Sequence, residues 1–108
     1  MTFFKKKILL MTGKFGGYTA LKNLIDLIVK DKTLDFKLLV TDQHLDKKFG
    51  NSYKIISSQI KKKNLIFIKT LKINDNSKSK LLSFSKLCKE TSNVVQKYKP
   101  DLIIVYGD

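Results

Sequence analysis

The chain has 108 residues, 29% of them charged and 43% hydrophobic, which suits one soluble globular domain and excludes both a disordered tail and a protein with two cores. Its formal net charge is +13, and all 22 basic residues are lysine. Arginine's planar fork is what usually reads phosphate and guanine, so a lysine-only surface attracts polyanions without distinguishing them, and no specific nucleic-acid partner is expected. The single cysteine, Cys88, excludes an intramolecular disulfide and a cysteine-based zinc cluster and suits a reducing cytoplasm. The apolar run Ile8-Leu-Leu-Met11 is too short for a signal-peptide core, and nothing later approaches the ~20 apolar residues of a membrane helix. The expected protein is cytoplasmic, with no membrane partner, no metal and no cofactor.

Along the chain, apolar runs alternate with helical patterns. Lys7 to Thr12 reads as a buried strand ending at Gly13. From Tyr18, apolar residues recur at Leu21, Leu24, Ile25 and Ile28, a helical stripe. Phe36 to Thr41 is a second strand. Phe49, Tyr53, Ile56 and Ile60 step by four, three and four and predict a second helix, which Gly50 and Asn51 weaken. Asn64 to Thr70 is a third strand, and the polar stretch Asn74 to Ser79 is a loop. A long helix follows, with Leu81, Phe84, Cys88, Thr91, Val95 and Tyr98 as its expected inner face and Cys88 as core filler. Pro100 stops it, and Asp101 to Tyr106 is a fourth strand leading to Gly107-Asp108.

The order is βαβαβαβ within a single domain over residues 1–108. The strands are apolar at nearly every position, the pattern of a parallel sheet covered by helices on both faces. Right-handed crossovers then predict an α/β fold, half of a doubly wound parallel sheet in the order 3-2-1-4. In such sheets ligands bind beyond the carboxyl ends of the strands, where the order reverses. Here that point lies between the first and fourth strands, at Thr12-Gly-Lys-Phe-Gly-Gly-Tyr18 and Tyr106-Gly-Asp108. A glycine-rich turn entering a helix can bring backbone amides to a phosphate, or be no more than a tight turn. Gly13, Gly16 and Gly17 do not form the dinucleotide fingerprint, and the phosphate-loop Gly-Lys-Ser/Thr ending is absent. His44, past the second strand, can act as acid, base or ligand, or pack a polar loop.

Four segments together carry a resemblance: Thr12-Gly13, Val40-Thr-Asp-Gln-His-Leu45, Phe49-Gly-x-x-Tyr-Lys-x-Ile56, and Lys99-Pro-Asp-Leu-Ile-Ile-Val-Tyr-Gly-Asp108. The chain resembles the amino-terminal part of the UDP-N-acetylglucosamine 2-epimerase family, hydrolysing branch, over essentially all its residues. The resemblance implies a Rossmann-like domain, the first of two facing across a cleft in a GT-B-like arrangement. It also implies a UDP-sugar substrate and a route toward N-acetylmannosamine and sialic-acid-type sugars. UDP is eliminated from carbons 1 and 2 and water then adds to the glycal, so protons must move at carbon 2. By the same resemblance, Asp108 stands at a catalytic carboxylate, and Thr12, Gly13, Lys14 and His44 stand at substrate-binding positions.

This sequence departs from the family in its first loop. The arginine position holds Phe15, which cannot donate a hydrogen bond to a diphosphate, and the acidic position holds Gly17. Lys14 can supply charge there only as a point cation. Family members are several times longer, so the expectation is a truncated, epimerase-like piece that is inactive alone. It would be completed by a separately encoded remainder or form a homo-oligomer. A small basic nucleotide- or nucleic-acid-binding module is the alternative from another class, with missing arginine against it.

Overall fold

The computed structural model describes residues 5–13, 15–41, 52–69 and 76–106. Four strands, β1 (Lys6–Thr12), β2 (Leu34–Thr41), β3 (Leu65–Ile68) and β4 (Leu102–Val105), form one parallel sheet in the order β3-β2-β1-β4. The helices are α1 (Phe15–Lys30), α2 (Ser52–Gln59) and α3 (Ser77–Tyr98), with a short 3-10 turn at Lys62–Asn64 before β3. This is the α/β half-sheet and the strand order expected from the sequence. Element ends shift: α1 begins at Phe15 rather than Tyr18, β2 at Leu34 rather than Phe36, and Asn64 belongs to the 3-10 turn. Among the described residues, no helix is long and apolar enough to cross a membrane.

Alternation along β1 and β2 divides the core between the two faces of the sheet. On one face Ile8, Leu10, Phe36, Leu38 and Val40 meet Tyr18, Leu21, Ile25 and Ile28 of α1, with Ile56 of α2 and Ile60 just beyond it. On the other, Leu9, Leu39 and Ile68 meet Tyr98 at the end of α3, with Leu87, Val94 and Val95 packed alongside. Leu9, Leu10, Leu38, Leu39 and Val40 are wholly buried. Full burial of such a side chain is worth about 1.5–3 kcal/mol, so these two central strands supply much of the stability.

The inner face expected for α3 is corrected by the structure. Val95 and Tyr98 pack inward as foreseen and Thr91 is partly buried, but Leu81 and Phe84 are 66% and 62% exposed and Cys88 is exposed too. Two apolar stripes run along this helix, and the one that meets the sheet passes through Leu87, Val94 and Tyr98. A helix of 22 residues is ~33 Å long, whereas a seven-residue strand spans only ~23 Å, so the amino-terminal half of α3 overhangs. The sheet edge is apolar and exposed, as the strand order 3-2-1-4 leads one to expect of the fourth strand, except at Ile104. β4 is apolar at every position, with Leu102, Ile103 and Val105 exposed and only Ile104 packed against the core.

Local hydrogen bonds define the ends of the elements. Asp31, just past α1, accepts from both the backbone N–H and the hydroxyl of Thr33, and these bonds hold its carboxyl below the usual aspartate value. Asn64 donates its side-chain amide to the Phe36 carbonyl at 2.7 Å, tying the entry of β3 to β2. Asn76 caps α3 by accepting from the Ser79 N–H at 2.8 Å. At the other end Lys99 adopts a left-handed conformation, φ 54°, and its N–H donates to the Val95 carbonyl before Pro100 turns the chain away. A residue with a Cβ is strained there, so Lys99→Gly is expected to stabilise the protein by about 1 kcal/mol, seen as a raised midpoint in thermal or urea denaturation.

Tyr98 ties the end of α3 to the amino ends of β1 and β2. Its hydroxyl donates to Asp35 at 3.2 Å, and the ammonium groups of Lys7 and Lys37 each lie 5.5 Å from its ring centroid. Lys7 also donates to the Tyr98 carbonyl, and the Lys7 and Asp101 segments exchange two hydrogen bonds, at 2.7 and 2.8 Å. Burial, and then the Asp35 carboxylate, push the Tyr98 hydroxyl well above the ordinary value of 10.0. The unfolded phenol ionises near pH 10 while the folded one stays neutral, so this contribution is present below pH ~10 and is lost as pH rises beyond it. Tyr98→Phe is expected to cost about 1 kcal/mol at pH 7, and the melting temperatures of variant and parent should converge between pH 9 and 11. A gap that stays constant over that range would show that the phenol does not titrate differently on folding.

Candidate functional site

In a sheet ordered β3-β2-β1-β4, β1 has a neighbour on each side: the chain leaves it through α1 toward β2 and returns from β3 through α3 to β4 on its other edge. The crevice this opens lies at the carboxyl ends of β1 and β4. Thr12, the last residue of β1, is 3% exposed there, and Gly13 follows it into the turn before α1. Thr41, the last residue of β2, is likewise buried. α1 runs back from this end, so its first turn presents backbone amides and the positive end of its dipole to the crevice, with no acidic residue in that turn.

Tyr106, the residue after β4, crosses toward this turn. A Cβ at Gly17 would lie 3.3 Å from the Tyr106 ring and 3.6 Å from the Thr12 hydroxyl oxygen. Thr12, Gly17 and Tyr106 therefore meet at one point, where a side chain at position 17 would crowd the aromatic ring. The acidic residue that the epimerase resemblance places at this position would press on the Tyr106 ring, which would have to give by a few tenths of an ångström. Sequence reasoning had put both segments at the reversal point but missed the contact. The departure at Gly17 was its only signal.

Of the five residues assigned to the site from sequence, Thr12 and Gly13 lie at the crevice. Lys14, His44 and Asp108 lie outside the described residues. The acidic side chains Asp26, Asp31, Asp35 and Asp101 stand at the opposite end of the sheet, around the ends of α1 and the amino ends of β2 and β4. Also at that end is a shallow depression of about 270 Å³, lined by Ile25, Phe36 and Ile60 and rimmed by Lys5, Asp35 and Lys61. It belongs to the wrong end of the sheet for a crevice ligand. The described part of the crevice thus offers backbone amides, a threonine hydroxyl and an aromatic face. These groups can hold an anionic or sugar oxygen, and they include no carboxylate to move a proton.

No family model matches the chain. It is 32% identical over 104 residues to a protein of Campylobacter jejuni subsp. jejuni serotype O:2 named GDP/UDP-N,N'-diacetylbacillosamine 2-epimerase (hydrolyzing). The match covers 96% of this chain and 27% of that protein, so the chain spans about a quarter of the length of the curated relative it matches. Across nearly its whole length the chain is thus a relative of the hydrolysing 2-epimerases of the UDP-N-acetylglucosamine 2-epimerase family, and it corresponds to only part of such an enzyme.

Proposed function

We propose that the chain supplies the amino-terminal crevice of a hydrolysing nucleotide-sugar 2-epimerase and holds part of a nucleoside-diphosphate 2-acetamido sugar there. One observation carries this reading. The 32% identity extends over 96% of the chain, and the fold brings Thr12-Gly13 and the end of β4 to the same reversal point. The sugar is UDP-N-acetylglucosamine by the resemblance read from the motifs, or a diacetylbacillosamine nucleotide by the name of the Campylobacter relative. Both share the diphosphate and the 2-acetamido group, which are the parts this crevice would meet. The reaction eliminates the nucleoside diphosphate across carbons 1 and 2 and then adds water to the glycal.

In this reading Thr12, Gly13 and the first turn of α1 bind and orient, while Asp108 is the chain's own candidate for moving the proton at carbon 2. Lys14 and His44 would add polar contacts to the substrate. Phe15 replaces the arginine that the resemblance implies, so binding of the diphosphate by this loop alone is weak.

Titration of the labelled protein with UDP-N-acetylglucosamine, followed by amide NMR, tests this directly. The expected shifts fall on Thr12, Gly13, Gly17 and Tyr106, at millimolar affinity and without release of UDP in a coupled assay. Shifts confined to Lys5, Phe36 and Ile60 at the opposite end, or none at tens of millimolar ligand, would sink the reading. UDP release that Asp108→Asn abolishes would show instead that the chain is active alone.

A further inference from the structure

The depression at the amino end of the sheet joins an apolar lining to hydrogen-bond donors that nothing else in the fold uses. Ile28 and Val29 of α1, Leu34 and Phe36 of β2, and Ile60 just past α2 supply the apolar part, and Val29 is left 62% exposed there. Lys5, Lys61 and Lys63 stand around it. Among the described residues the one ion pair is Lys22 to Asp26, so none of these three ammonium groups is paired. Both carboxylates of the lining are already engaged: Asp26 pairs with Lys22, and Asp35 accepts from the Tyr98 hydroxyl at 3.2 Å. Gln59, also in the lining, accepts from the Tyr18 hydroxyl through its side-chain oxygen. That bond orients the carboxamide and leaves its N–H groups, among the described residues, free to donate. α1 and α2 both finish at this end and bring about half a negative charge each, which the lysines outweigh.

We propose that this depression is a second ligand site, separate from the crevice, and that it takes a small organic carboxylate with a compact apolar body. The body lies on Val29, Leu34 and Phe36 and removes the exposed face of Val29 from water. The carboxylate accepts from Lys61, Lys63 and the Gln59 amide, with Lys5 adding charge from the strand side. Lysine suits this task, because a point cation holds one carboxylate without demanding the planar geometry of an arginine fork. The volume, about 270 Å³, falls just under the ~300–1,000 Å³ of most ligand pockets, so a single ring or a short branched chain fits and a nucleotide sugar does not. A bare inorganic anion would leave the apolar lining uncovered, and a cation would meet the lysines. The proposal does not rest on the epimerase relationship.

The test titrates the labelled chain with phenylacetate, with acetate as the charge without the body, and with phenylacetamide as the body without the charge. Saturable amide shifts are expected with phenylacetate at Val29, Phe36, Ile60 and Lys61, at millimolar affinity, since exposed lysines each contribute little. Acetate and phenylacetamide should bind about tenfold more weakly or not at all. Lys61→Gln combined with Lys63→Gln should weaken phenylacetate about tenfold with the thermal midpoint nearly unchanged. Lys86→Gln combined with Lys89→Gln removes the same charge from α3, on the other face of the sheet, and should leave binding as it was. If the first pair of substitutions unfolds the chain, the comparison of the three probes on the parent protein still decides. Shifts that never saturate, or acetate binding as well as phenylacetate, overturn the proposal. So does an equal loss in the α3 variant, and so do phenylacetate shifts confined to Thr12, Gly13 and Tyr106. The sugar-nucleotide titration reads the opposite end of the sheet, so the two readings fail separately.

Discussion

Parallel pairing of β1 on both its edges is the constraint from which the rest of this structure follows. Parallel strands cannot be joined by tight turns, so each connection must cross a face of the sheet, and a right-handed crossing brings a helix with it. The connections to β2 and β3 lay α1 and α2 on one face, and the return to β4 lays α3 on the other. Burial of Leu9 and Leu10 to completion is possible only because both faces are then roofed. The same geometry forces the turn after β1 and the end of β4 together at the carboxyl end, and so creates the crevice.

The two ends of the sheet divide structural and chemical duties. The amino ends of the strands are laced by charged and aromatic contacts: Tyr98 to Asp35, Lys7 to Tyr98 and Asp101, Lys37 to Lys63. These fix where α3 finishes and where β4 starts. The carboxyl ends hold the buried Thr12 and Thr41 and the glycine-rich turn that enters α1. Such a division is common in α/β sheets, where function collects in the loops on one side and stability is secured on the other.

Much of this fold was legible because unbroken apolar runs such as Ile8-Leu-Leu-Met11 and Leu38-Leu-Val40 admit few readings, and because Pro100 marks a helix end by its chemistry. The inner face of α3 was not legible, since Leu81, Phe84 and Cys88 share helical spacing with Val95 as well as Leu87 does with Val94. Periodicity cannot tell which of two stripes faces a sheet that ends halfway along the helix. Composition alone does not separate β4 from β1, but the strand order does, since it leaves β4 on an edge with its apolar side chains exposed. At the site, Thr12 and Gly13 were legible from the reversal rule. The meeting of Gly17 with Tyr106 was not, because nothing local couples residues from opposite ends of the chain.

That meeting also constrains how the sequence can change. A Cβ on residue 17 would lie 3.3 Å from the Tyr106 ring, and Gly17 is what leaves that contact relaxed. An aspartate introduced first at 17 crowds the ring, which must then give by a few tenths of an ångström. The low-cost route alters both together, or passes through a small residue at 106 while 17 is still glycine. Glycine at 17 and tyrosine at 106 are thus coupled through one contact, and a change at either alters the mouth of the crevice.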